Sequence, residues 1–353
     1  VLNGIGTPSD EGDGRLKARG VVQAWGRILA GRTPSLAIEV TRECPLSCPG
    51  CYFHDANHIG MGHPAAELHD CKGPELVDGV MELVRRVRPL HVSLVGGEPL
   101  VRYRELSILL PMLGAMGVHT QVVTSAVRQI PTEWNQAGKV DIVVSIDGLQ
   151  PEHDARRKPA TYDRILEHIR GHSVIIHCTV TRQMTERPAY LKDFVELWSG
   201  RQEARKIWVS LYTPQNGERS DQVLSTNDRA AVIAELRVLR REFPKLDLPE
   251  GLINCYLSPP RSPAECIFAK TTTAIGSDLA TEIAPCMLGG NPNCSECGCM
   301  GSAGLQAVGR HRLPVIGLRV GRIYDVSYAV GRLAALLRHG VGAVFPSNGK
   351  RCH

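Results

Sequence analysis

Eight of the twelve cysteines of this chain fall into two short segments, and that clustering constrains the fold more than any other feature. Cys44, Cys48 and Cys51 follow a C-x3-C-x2-C spacing, while Cys266, Cys286, Cys294, Cys297 and Cys299 share a second, looser segment. Cys71, Cys178, Cys255 and Cys352 stand apart. A secreted disulfide framework is a short chain with evenly used cysteines. This chain has 353 residues and opens, over Val1 to Arg19, on polar and charged residues without an apolar signal core. A cytoplasmic location is expected, and clustered thiols there read as metal sites. Soft sulfur ligands select iron–sulfur clusters, zinc or copper. A cubane cluster held by three cysteines keeps one iron without a protein ligand, where chemistry can occur. A structural zinc wants a fourth ligand, which His54 or His58 could supply.

From residue 36 the chain alternates short apolar runs with amphipathic ones. Leu36 to Val40, Leu90 to Val95, Gln121 to Thr124, Val140 to Ile146, Val174 to Val180 and Ile207 to Tyr212 read as strands. Helical periodicity falls near 76–87, 104–116, 161–170, 188–199 and 226–243. Such alternation implies a parallel sheet covered by helices. Six units suit a partial (β/α)6, TIM-like barrel better than a closed eight-stranded one, with chemistry at the C-terminal ends of the strands. The first cysteine cluster follows strand one, Gly96-Gly97-Glu98-Pro99 follows strand two, Thr124-Ser125 ends strand three and Ser145 lies near the end of strand four, so four unusual features share one rim. The expected organisation is an N-terminal extension over 1–35 with a basic amphipathic helix, the partial barrel over 36–250, a Cys-rich auxiliary segment over 251–310 and a helical tail over 311–353.

The three motifs together resemble the radical SAM superfamily. The cysteine loop followed by Tyr52 is its signature, Gly96-Gly97-Glu98-Pro99 matches its second motif, and Val144-Ser145-Ile146-Asp147-Gly148 with His153-Asp154-Ala155-Arg156-Arg157 its third, over about residues 36–215. The resemblance implies a [4Fe-4S] cluster on Cys44, Cys48 and Cys51 and S-adenosylmethionine (SAM) held by Tyr52, Gly96, Gly97, Glu98, Pro99, Ser125, Ser145 and Arg157. Glycines let backbone carbonyls approach an ammonium, Glu supplies negative charge, and an Arg fork fits a carboxylate. Ser125 stands where the family often has Asn. The implied reaction is reductive cleavage of SAM to a 5′-deoxyadenosyl radical, which takes hydrogen from a substrate carbon.

In the second cluster, Ala274 to Leu279 and Ile283 to Cys286 read as two short strands around a polar turn. This looks like the hairpin that opens the SPASM or twitch auxiliary domains of many radical SAM enzymes. It implies one auxiliary [4Fe-4S] cluster on Cys266, Cys286 and two of Cys294, Cys297 and Cys299. A zinc knuckle is the competing reading.

The lone cysteines, Cys255 and Cys352 included, read first as small hydrophobes, with a catalytic thiol as the rarer role. His54, His58 and His63 are candidates for acid–base work or substrate contact. Hydrophobic residues at 43% and charged residues at 22% exclude general disorder, and no stretch reaches transmembrane length. A net charge of +5 is too small to argue for nucleic acid. The expected partners are a peptide or small-molecule substrate and a reducing donor such as flavodoxin or ferredoxin. No peptide-recognition domain is legible ahead of the barrel. Two alternatives stay open: a radical SAM enzyme acting on a lipid, with the basic ends on a membrane surface, and a non-catalytic zinc-binding interaction module.

Overall fold

Short runs rich in Val and Ile, each following a helix, become parallel strands because both faces of such a sheet are covered. The six expected strands are all present: β1 (Ser35–Glu39), β2 (His91–Val95), β3 (His119–Thr124), β4 (Val140–Ser145), β5 (Val174–Val180) and β6 (Ala204–Leu211). The computed structural model describes residues 14–55, 58–59, 68–159, 161–313 and 317–339, so His63 and Cys352 lie outside the described residues. A seventh strand, β7 (Thr272–Ile275), pairs in parallel with the free edge of β1, giving the order β6-β5-β4-β3-β2-β1-β7. The segment that periodicity reads as one arm of a hairpin thus joins the main sheet. Its return arm survives as a single antiparallel bridge, Ile275 to Glu282.

The helices in chain order are α1 (Gly14–Leu29), α2 (Gly73–Val87), α3 (Tyr103–Ala115), α4 (Gln150–Arg156), α5 (Tyr162–His168), α6 (Tyr190–Gly200), α7 (Thr226–Glu242), α8 (Glu250–Leu257), α9 (Ile267–Thr271), α10 (Met300–Arg310) and α11 (Val320–His339). Local chemistry sets several ends. Pro74 occupies the first turn of α2, where its missing N–H costs nothing, and Arg88 closes that helix in the left-handed region. Ser225 and Asp228 form a reciprocal capping box on α7.

Side-chain alternation shows that the sheet curls. Ser35 and Ala37 of β1, His91 and Ser93 of β2, Gln121 and Val123 of β3, Val143 and Ser145 of β4, His177 and Thr179 of β5, Trp208 and Ser210 of β6 and Thr272 of β7 line one cavity of about 330 Å³. Residues i and i+2 of β1 through β6 can face a single cavity only if the sheet is concave around it. The opposite parity, including Ile38, Leu94, Val122 and Val144, is buried in the main core. The interior is therefore polar and open while the helix-facing layer is apolar and close-packed. Leu94→Ala removes a fully buried side chain from that layer. It is expected to lower the unfolding free energy by about 2–5 kcal/mol, read as a lower urea midpoint at unchanged slope.

Candidate active site

The cysteine loop is held by backbone contact before any side chain is considered. Past the paired strands, Val40 N–H donates to Val95 O, Gly97 N–H to Thr41 O and Glu98 N–H to Glu43 O, each at 2.9 Å. The β1–β2 pairing thus runs on into the loop that bears Cys44, Cys48 and Cys51. A Cβ on Gly97 would lie 2.4 Å from Glu43 O, and one on Gly96, whose φ is +131°, 2.6 Å from Thr41 O. Only glycine permits this approach. The two glycines seat the cysteine loop, a role that motif chemistry alone does not bring out. Arg102 and Asp70 brace the same loop: Arg102 pairs with Glu43 at 2.7 Å, and Asp70 accepts from the Arg42 N–H at 2.8 Å. Hydrogen bonds from Arg102 and Lys72 bring the Glu43 carboxyl down to about 2.

Glu98 is fully buried. One carboxylate oxygen accepts from Leu100 N–H at 3.0 Å and from the Thr124 hydroxyl, and the other accepts from Ser125 N–H at 2.8 Å. Glu98 therefore ties the end of β2 to the end of β3 and keeps acceptor capacity on the second oxygen. Burial raises its pKa against these donors. Pro99 is buried at the start of a 3-10 turn, Pro99–Arg102, and does not line the cavity.

At the end of β4, Asp147 gathers two arginines. Arg156 and Arg157 reach its carboxylate at 3.1 and 2.8 Å, and Arg157 Nη1 donates to the Ser125 hydroxyl at 2.8 Å. Burial opposes the Asp147 charge, but Arg157 and Arg156 overcome it and hold the carboxyl far below the usual range. The Arg157 guanidinium keeps N–H capacity on both terminal nitrogens. Cys48, Cys51, Tyr52, Gly96, Gly97, Glu98, Ser125, Ser145 and Arg157 all line the one cavity. Burial pushes the Cys44 thiol up to about 11, and the nearby charges of Glu98, Cys48 and Cys51 add to this. Cys44 is on the same loop but does not line the cavity; Cys48 and Cys51 do, with the Arg157 fork, and the set fits a cluster carrying a carboxylate-bearing ligand.

The five later cysteines converge as well. Cys266, Cys286, Cys294, Cys297 and Cys299 line a second cavity of about 30 Å³. Cys299 lines both cavities, with Thr213, Phe268, Met287 and Leu288. Burial pushes Cys286 up to about 12 and Cys294 up to about 11, with neighbouring thiols contributing. Among the described residues no three His, Cys, Asp or Glu side chains close around the position of a single metal ion. Five sulfurs around one small cavity are the soft donor set that an iron–sulfur cluster or a zinc ion takes.

Two close backbone contacts dock this segment. Gly298 O accepts from Leu211 N–H at 3.0 Å at the end of β6, and a Cβ on Gly298 would lie 2.0 Å from Leu211 O. His58 makes the second contact. It is fully buried, with Nε2 2.5 Å from Glu39 and Nδ1 3.1 Å from Leu288 O, while its own carbonyl accepts from Gly290 N–H. Both ring nitrogens are committed, so His58 is a strut between β1 and the second cysteine segment and is not placed to complete a zinc site. Cys178 and Cys255 are buried as small hydrophobes.

Sequence reading did not single out His177 and Ser210, which meet at 2.9 Å inside the cavity, or Arg156. For His177 and Ser210 the signal is strand alternation, each inward position following from the parity of its neighbours, whereas Arg156 ends α4 and carries no such mark. His153 accepts from Asp147 N–H through Nδ1. Burial lowers both His153 and His177 to about 4, against an ordinary value of about 6.5. Between those values the unfolded chain binds more protons than the folded one, so stability is fully present above about pH 6.5 and falls as pH drops toward 4. Thermal melting across this window is expected to show that fall. His153→Gln, which keeps an acceptor for Asp147 N–H, is expected to flatten the slope.

Comparison with known proteins agrees with this geometry. Residues 38–184 match the model of the Radical SAM superfamily. The PqqA peptide cyclase of Bradyrhizobium diazoefficiens is 28% identical over 137 residues, 38% of this chain and 32% of that protein. The 7-carboxy-7-deazaguanine synthase of Hyperthermus butylicus is 29% identical over 102 residues, 29% of this chain and 39% of that protein. The matches thus span about a third of the length of these curated relatives. Streptococcus suis SuiB bound to its precursor peptide SuiA shares the fold, with a TM-score of 0.50 at 16% identity over 93% of this chain and 74% of that one. Residues 38–184 are thus similar to the Radical SAM superfamily, a family of enzymes that work with a [4Fe-4S] cluster and S-adenosylmethionine, and this likeness supports an enzyme over a non-catalytic zinc module.

Proposed function

We propose that this chain uses SAM to abstract hydrogen from a carbon of a peptide substrate, starting an oxidation, epimerisation or bond-forming step. The observation that carries this reading is the convergence of the cysteine loop, the Gly96–Glu98 segment and the Arg157 fork on one end of a cavity lined by every strand. A peptide is favoured over a small metabolite because relatives named PqqA peptide cyclase recur among the matches, and because the fold neighbour SuiB binds a precursor peptide. Cys44, Cys48 and Cys51 would hold the cluster. Arg157, oriented by Asp147, and the Ser125 and Ser145 hydroxyls would receive the carboxylate and ribose region of SAM. The free lone pairs of Glu98, near the Gly96–Gly97 backbone, would meet its ammonium. When bound, the cluster and SAM supply a 5′-deoxyadenosyl radical by one-electron reductive cleavage. The protein positions the reacting carbon and excludes water, which the curled sheet and its helix cover accomplish.

The same reading gives Cys266, Cys286 and two of Cys294, Cys297 and Cys299 to one auxiliary [4Fe-4S] cluster beside the cavity, with a flavodoxin- or ferredoxin-like donor feeding the first. Residues 36–250 would form the catalytic barrel and 251–310 the auxiliary segment, which lends β7 to that barrel.

Anaerobic reconstitution is expected to give a brown protein with absorption near 400 nm and about eight irons per chain. Cys48→Ala should leave about four irons and lower 5′-deoxyadenosine formation by at least about 100-fold. Cys286→Ala should also leave about four irons while SAM cleavage persists. Unchanged 5′-deoxyadenosine production in Cys48→Ala would refute the assignment. Gly97→Ala, whose Cβ would collide with Glu43 O, is expected to lose the first cluster selectively, leaving about four irons.

A further inference from the structure

α11 packs one side against α1 and α10 and leaves another bare. Tyr324, Ser327 and Gly331 are buried, with Trp25 of α1 donating to the Ser327 hydroxyl at 3.0 Å. A Cβ on Gly331 would lie 2.0 Å from Ile28 O, so the two helices meet backbone to backbone there. On the outer side, Val326, Val330, Leu333 and Leu337 stand 51–79% exposed. Their i, i+4, i+7, i+11 spacing makes one continuous stripe. Val22 and Leu29, seven residues apart on α1, are exposed as well. Isolated exposed apolar residues need no explanation, but a stripe repeated over three helical turns does.

The charge of these helices is one-sided. In sequence, α1 and α11 together hold seven Lys and Arg against one acidic residue, Asp325, in a chain whose net charge is only +5. Asp325 is itself paired with Lys270 at 2.9 Å. Arg27, Arg32, Arg319, Arg322 and Arg332 make no ion pair with any described residue. Arg27 is held below its ordinary value by burial and then by the repulsion of Arg32 and Arg88. The uncompensated charge lies next to the apolar stripe: Arg322 stands one turn before Val326, and Arg332 precedes Leu333.

These facts discriminate among partners. A nucleic acid would use the arginines and gain nothing from four aliphatic side chains. A second copy would bring arginines against arginines. An anionic lipid surface takes both, since acyl chains receive Val and Leu while headgroups neutralise Arg. No helix among the described residues is long and apolar enough to cross a membrane, so the contact is in the interface plane. We propose that the outer face of α11, with α1 beside it, docks this enzyme onto anionic bilayers.

The test is co-sedimentation of the full chain with vesicles of phosphatidylcholine alone and of phosphatidylcholine mixed with phosphatidylglycerol. Binding to the mixed vesicles and not to the neutral ones is expected, weakening as salt is raised. The exposed-site variant Val330→Glu/Leu333→Glu should lower the bound fraction about tenfold or more with an unchanged thermal melt. The charge variant Arg322→Glu/Arg332→Glu should do the same. Equal binding to both vesicle types, no binding to either, or retained binding in the two variants would overturn the proposal. So would a concentration-dependent dimer that the Glu variant disperses without any vesicle binding. Cluster content and SAM cleavage in these variants are read separately, so a failed docking result leaves the catalytic reading untouched.

Discussion

The site depends on a strand pairing that continues after the strands stop. Three successive backbone hydrogen bonds, from Val40, Gly97 and Glu98, extend the β1–β2 ladder into what would otherwise be two loops. A loop of eight residues with Pro45, Pro49 and Gly50 has little conformational preference of its own, and ordering it costs about 1–2 kcal/mol per residue. The ladder meets part of that cost where the cysteines begin, and Arg102, Asp70 and Glu43 extend it with charge-assisted bonds. Glycine at 96 and 97 is required because the partner backbone occupies the space a Cβ would need.

The second cysteine segment is fastened by the same kind of contact. Gly298 lies against the Leu211 carbonyl and Gly289 against His58, each too close for a side chain. His58 in turn meets Glu39 at the end of β1, so the position of Cys286 is linked through one imidazole to the strand that launches Cys44. Because β7 also pairs with β1, a change in the first strand is felt at both cysteine groups. The shared wall of the two cavities, with Cys299 facing both, follows from that docking.

Most of the fold was legible because its signals are local. Val- and Ile-rich runs such as Val174–Val180 can do little but form buried strands, and Pro74 with the left-handed Arg88 frames α2 without reference to anything distant. The two cysteine groups were legible because soft ligands at tight spacing have few other uses. What escaped were pairings across long sequence distance. β7 finds β1 across more than 230 residues, and its hairpin-like pattern carries no mark of that partner. His58 shows the converse: a histidine beside a cysteine loop suggests a ligand, whereas the fold uses it as a strut, because burial beside Glu39 and a carbonyl satisfies both nitrogens. The inward residues of β5 and β6 were implicit in alternation once the sheet was known to curl, but alternation alone does not say which face is concave.

The thiol environment bears on how the proposed clusters would be assembled. Burial, with a smaller contribution from neighbouring thiols, raises Cys44, Cys286 and Cys294 to about 11 or 12. Without positive charge among them these groups stay protonated at neutral pH, since gathered thiolates would repel one another. Arg157 lowers this cost at Cys48, where burial remains the larger effect. With an iron–sulfur core bound, Cys44, Cys286 and Cys294 would be held as thiolates, their protons released to solvent, and mutual repulsion would give way to a common attraction. The backbone contacts at Gly97 and Gly298 would therefore matter most before metal arrives, when neutral thiols have no common attraction and close main-chain packing holds the sulfurs near one another.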